Sequence, residues 1–137
     1  MKKFLIVILT ILLAISSLAL TACFPIEEKA KENLEDAGYT ITYYENDYKV
    51  FKKVWSHSYG SIDERSYGLT EAIIKANLDT DWVTIYYFDE TDDAMDFIDD
   101  FESFNTSLSE DDPEYPKRDG RVVYYGTEDA IAVAKGK

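Results

Sequence analysis

The side chain with the most reactive chemistry in this sequence is Cys23, the only cysteine among 137 residues. With one thiol there is no intrachain disulfide and no multi-thiolate metal site. His57 is likewise the only histidine. Catalytic triads and zinc sites need a histidine with partners, and none stands at a recognisable spacing from it. Ser61 follows Gly60, but no Gly-x-Ser-x-Gly elbow surrounds it. The chain holds 27 Asp and Glu. The runs Asp89 to Glu102 and Glu110 to Glu114 lack the alternating ligands, central glycine and closing Glu of a calcium loop. They read as solvated acidic surface. A pair of carboxylates for glycoside hydrolysis needs a set separation across a cleft. So many acids single out no pair. No metal and no cofactor is implied.

The position of Cys23 is more telling than its uniqueness. Lys2 and Lys3 precede an apolar run from Phe4 to Ala19, broken only by Thr10, Ser16 and Ser17. Small residues follow, ending Leu20-Thr21-Ala22-Cys23, a sequence similar to a bacterial lipobox. Small side chains let the chain lie extended in a peptidase cleft, and the thiol takes the diacylglycerol. Residues 1–22 are therefore expected to be a cleaved leader, and residues 23–137 one domain on the outer face of the cell membrane. Each buried lipid methylene contributes roughly 0.8 kcal/mol, and two or three chains hold firmly where one does not. The alternative is an uncleaved membrane span, for which the apolar run is long enough.

Loss of Lys2 and Lys3 with the leader makes the domain two units more negative than the −13 of the full chain. Such a charge repels phosphate backbones and anionic headgroups, so nucleic acid is not an expected partner and lipid on Cys23 is the expected hold on the membrane. Without disulfides the fold must rest on its core, for which 11 Tyr, 7 Phe and 2 Trp are available.

The pattern of elements begins with a helix over 25–37, with Pro25 at its start and Gly38 at its stop. Only Phe24 separates it from Cys23, so the domain is expected close to the membrane with no flexible stalk. A strand over 39–44 ends at Asn46-Asp47. Tyr48, Phe51 and Trp55 fit helical spacing and Val50 and Val54 fit a strand; the reading adopted is a short helix over 48–55 capped by Asp47. A loop over 56–66, a strand over 68–78, a turn at Asp79-Thr80 and a central strand over 82–88 follow. A helix over 92–104 capped by Thr91, an acidic loop over 105–120, a strand over 121–125 and a short helix capped by Thr127 complete the chain. The expected class is α+β. The inner six elements spell β-α-β-β-α-β, a ferredoxin-like four-stranded antiparallel sheet with extra N- and C-terminal helices.

Three stretches resemble a known group of proteins: Glu32 to Tyr44 around Ala37-Gly38-Tyr39-Thr40, the strand Trp82 to Phe88, and Val123 to Ile131. They are similar to small, uncharacterised lipoproteins of low-GC Gram-positive bacteria and their wall-less relatives. The resemblance implies a cell type and no catalytic residue. Some of that group carry a long charged helical insertion before the last strand, where this chain has only Asn105 to Gly120.

The aromatic residues carry the functional expectation. If Ile41, Ile74, Val83 and Ile85 face the inner helices, then Tyr44, Ile73, Trp82, Tyr86 and Phe88 face the other way, joined by Tyr124 or Tyr125. The terminal helices are expected to cover part of that second face, leaving Ile73 and Glu71 exposed beside Trp82 and Tyr86. Tyr44, Trp82 and Tyr86 are thus the candidate binding residues, for a protein, peptide or glycan at the envelope. The leading expectation is a non-enzymatic binding module. The alternatives are an envelope hydrolase using paired carboxylates and a structural or assembly lipoprotein.

Overall fold

The computed structural model describes residues 23–55, 62–104 and 107–137. Their elements are α1 (Glu27–Asp36), β1 (Thr40–Trp55), β2 (Ile62–Leu78), β3 (Asp81–Phe88), α2 (Thr91–Phe104), β4 (Lys117–Asp119), β5 (Val122–Gly126) and α3 (Glu128–Ala134). The class is α+β. One five-stranded sheet has the order β1-β2-β3-β5-β4, every neighbouring pair antiparallel.

This is not the β-α-β-β-α-β order expected from the sequence. No helix lies over 48–55; that stretch continues β1, which forms a hairpin with β2 where a crossover helix was expected. β1 is consequently an edge strand, with β2 and β3 between it and β5. The cause of the misreading is visible in the register. Pairing jumps from Glu45–Ala72 to Tyr48–Thr70, placing an extra residue in β1 at Asn46-Asp47, and again from Lys49–Leu69 to Phe51–Ser66, placing one in β2 between residues 66 and 69. Each bulge shifts the phase of the side-chain alternation. Residues 48–55 therefore do not continue the alternation of 39–44, and their apolar spacing fits a helix as well as a strand. The expected break at Asn46-Asp47 is such a bulge. Residues 62–66, expected in a loop, belong to β2, and Lys117–Asp119 of the expected acidic loop form the edge strand β4.

The helices end as their residues dictate. Glu27 and Glu28 occupy the first turn of α1, where the helix dipole favours them. At its other end Gly38 takes φ +90, and the Tyr39 N–H donates to the Leu34 carbonyl at 3.0 Å, closing the last turn. Thr127 does precede α3, but its hydroxyl makes no cap; it accepts the Trp82 N–H at 3.2 Å.

The helices sort onto two sides. α1 and α3 cover the face bearing Ala72, Ile74, Ala76, Val83, Ile85 and Tyr87. α2 covers part of the other, where Ala94 and Phe97 meet Ile73, Phe88 and Val123. The expected division of side chains between the faces holds, and the helices covering them are exchanged. The terminal helices seal the Ile85 face, and the inner helix lies on the aromatic one. Ile73, expected exposed, is buried beneath α2.

Candidate functional site

Paired positions in an antiparallel sheet share a face, so the register fixes what stands beside Trp82. On the α2 side, Tyr44, Ile73, Tyr86 and Val123 form one cross-strand row. Thr42, Lys75, Thr84 and Tyr125 form the next, and Thr40, Asn77 and Trp82 the last. α2 packs over the first row. Beyond it Thr40, Thr42, Lys75 and Asn77 are exposed and Trp82 and Tyr125 half-buried. Of the inner positions in these rows only Thr84 is buried.

The aromatic rings there form a chain running from solvent into the core. Trp82 meets Tyr125 edge-on, centroids 5.8 Å apart at 78°. Tyr125 meets Tyr86 at 6.1 Å, and their hydroxyl oxygens lie 3.3 Å apart. Tyr86 then contacts Phe97 of α2 at 5.8 Å. These are favoured aromatic geometries. Burial pushes the Tyr86 hydroxyl well above the usual tyrosine range, and Tyr125 beside it adds to the shift. It is neutral at any physiological pH and serves as a hydrogen-bonding group of the wall, not as an acid or base.

Of the three candidate residues, the structure thus links Trp82 and Tyr86, through Tyr125. Tyr44 is half-buried against the α2 core, two strands from Tyr86. The sequence left open which of Tyr124 and Tyr125 joins this face; it is Tyr125. Lys75, Thr42 and Asn77 escaped notice, although period-two alternation through β2 and β1 points to them once the hairpin register is known. Glu71, expected exposed beside Trp82, sits at the bulge between Thr70 and Ala72 and meets Arg121 at 2.7 Å at the far end of β3.

Cys23, the expected anchor, lies elsewhere. Cys23 is exposed, while Phe24 is buried, its ring 4.6 Å from Tyr124. The Phe24 N–H donates to Asp119 Oδ2 at 2.6 Å, and the Pro25 carbonyl accepts the Tyr87 hydroxyl at 2.8 Å. No helix among the described residues is long and apolar enough to cross a membrane.

An open pocket of about 520 Å³ lies between residues 111–117 and the start of α3, lined by Asp111, Asp112, Tyr115, Lys117, Glu128 and Ile131, among others. A hydrolytic carboxylate pair needs one member desolvated, whereas Asp111 and Glu128 are exposed. No cluster of three or more metal-ligating side chains occurs among the described residues. His57 and Ser61 lie outside them. No protein family, curated protein or solved structure matches this chain.

Proposed function

We propose that this chain is an exported lipoprotein, held on the outer face of the cell membrane by lipid on Cys23, whose domain binds an envelope glycan. The anchor rests on the lipobox-like sequence before Cys23. The binding role rests on one observation: Trp82 and Tyr125 stand half-exposed on the part of the sheet that α2 leaves open, ringed by Thr40, Thr42, Lys75 and Asn77. A ring edge or face offers an apolar surface to the C–H side of a sugar. Two threonine hydroxyls, an amide and an ammonium supply donors and acceptors for its hydroxyls. The acidic domain disfavours a polyanionic ligand.

Two measurements test this reading. Metabolic labelling with an alkyne fatty acid tags the wild type and spares Cys23→Ser, because serine offers no thiol to the transferase; equal label on both sinks the anchor. Titration of the lipid-free domain with N-acetylglucosamine oligomers and with solubilised wall glycan changes tryptophan emission, and Trp82→Ala or Tyr125→Ala weakens binding. Undiminished binding by both variants sinks the site.

A second reading has its own observation. Among the described strands β1 pairs only with β2, and its other edge is open to an extended peptide that adds as a strand. Trp82→Ala and Tyr125→Ala discriminate: an extended peptide that adds to β1 binds both variants undiminished, whereas a glycan stacked on the rings does not.

A further inference from the structure

Cys23 is one residue from the hydrophobic core. Phe24 is 9% exposed, its ring packs on Tyr124 and edge-on to Tyr87, and its N–H is tied to Asp119. The Pro25 carbonyl is held by the Tyr87 hydroxyl. These contacts seat the chain on the α1/α3 face near the Phe88 end of β3, since Tyr87 pairs with Val122, and Val122 with Asp119. Trp82 lies five residues back along β3, about 17 Å at 3.3–3.4 Å per residue, and an odd number of residues away, hence on the opposite face. α1 confirms the direction: it starts beside the seat and carries the chain about 15 Å, at 1.5 Å per residue, to Thr40, which shares a row with Trp82.

We infer that the protein stands on the bilayer in one orientation, locked by Phe24, with the Phe88 end of β3 towards the lipid and Trp82 and Tyr125 presented away from it. This rests on lipid attachment at Cys23. Only Cys23 itself stands between the acyl chains on its sulfur and the seated Phe24, so rotation of the domain about its anchor is confined. Charge does not supply an alternative hold. Glu27, Glu71 and Asp89 gather around Arg121 at the membrane end, and the domain as a whole is strongly acidic. Held this way, the aromatic patch meets material beyond the membrane surface and is kept from the headgroups beneath.

The test uses the full lipidated protein in vesicles of phosphatidylcholine and phosphatidylglycerol that carry a headgroup nitroxide. Cys23 is consumed by its thioether, so a fluorophore can be placed singly on Glu28→Cys, near the seat, or on Thr40→Cys, beside Trp82; both positions are exposed. The expected result is several-fold stronger quenching at Glu28→Cys. Inserting a Gly-Ser linker of about ten residues between Cys23 and Phe24, roughly 17 Å of random coil, leaves Phe24 seated and brings the two signals together. Equal quenching with the native junction overturns the inference, as does a difference that the linker leaves unchanged. Failure of the anchor itself reads differently: protein that takes no fatty-acid label and does not float with vesicles.

Discussion

The two faces of the sheet draw on similar residues and end in different states. On the α1/α3 face, Ile74, Ile85 and Val83 are at most 1% exposed, and the closed core runs across the strands to Tyr124. On the α2 face, burial of apolar side chains stops after the row of Ile73, Tyr86 and Val123. Width explains the difference. Five strands at about 4.8 Å spacing span roughly 19 Å, and one helix with its side chains covers about 10–12 Å. Two helices seal such a sheet and one does not. The sealing pair is small-sided where it touches, with Ala30, Leu34, Ala130 and Ala134 fully buried, which lets both helices fit side by side. A patch is therefore left open by helix count, and not by any lack of apolar residues.

The sharpest way to break this comparison is to truncate the sealed face. Ile85→Ala is expected to cost about 2–5 kcal/mol, because no neighbour can collapse into the space between two helices and the sheet. Chemical denaturation measures it. An unchanged midpoint would mean that the face is not closed.

Next in size is Gly126→Ala. Gly126 has φ +153, and a Cβ there would collide with the Trp82 carbonyl oxygen. The next residue donates its N–H to that same oxygen at 2.8 Å, so the β3–β5 contact has no slack. Strain of about 1–3 kcal/mol is expected. Because the strain falls on Trp82, this variant should also shift tryptophan emission, which Ile85→Ala should leave alone.

The sequence made the two faces legible and not their covers. Alternation through Trp82 to Phe88 assigned Ile85 and Trp82 to opposite sides, and the stripe of Ala94, Phe97 and Phe101 marked α2. What failed was the hairpin. The bulge at Asn46-Asp47 breaks the alternation of 39–44, so 48–55 does not read as its continuation, and a second bulge between residues 66 and 69 does the same in β2. A helix entered in its place, and with it a ferredoxin-like order that set the terminal helices on the wrong side. Trp82 and Tyr86 were found because they lie on an unbulged strand. Lys75 and Thr42 were missed because their neighbourhood depends on a long-range register, which no local pattern encodes. Thr127 was read as a cap from its residue type, yet its hydroxyl accepts from Trp82, a partner 45 residues away.

Trp82→Ala addresses the open face directly. Its edge-on contact with Tyr125 contributes about 0.5–1.5 kcal/mol beyond area burial, and the half-exposed ring leaves no sealed cavity. The expected outcome is a modest fall in midpoint with a large loss of glycan binding. A stability loss as large as that of Ile85→Ala would show the patch to be core.

The smallest and most direct comparison uses the adjacent tyrosines, one on each face. Tyr87 donates to the Pro25 carbonyl at 2.8 Å, and Tyr86 meets the Tyr125 hydroxyl at 3.3 Å. Tyr87→Phe removes a well-formed bond and leaves a carbonyl unpaired, costing about 1 kcal/mol; Tyr86→Phe loses a long contact and is expected to cost less. Both hydroxyls are pushed upward from the ordinary tyrosine value of 10.0, Tyr87 by burial first and by nearby Glu27 and Tyr43. The sign follows from linkage. The folded state holds the proton more tightly than the unfolded state, so the stabilising contribution is complete below pH 10 and falls as pH rises above it. Denaturation midpoints should therefore decline from about pH 10 upward, and each Tyr→Phe change should flatten that decline. The part of the tyrosinate absorbance that each Tyr→Phe change removes should appear together with unfolding. If the part removed by Tyr86→Phe appears first, water reaches that hydroxyl from the open patch, and the boundary between the two faces lies deeper than the row of Ile73 and Val123.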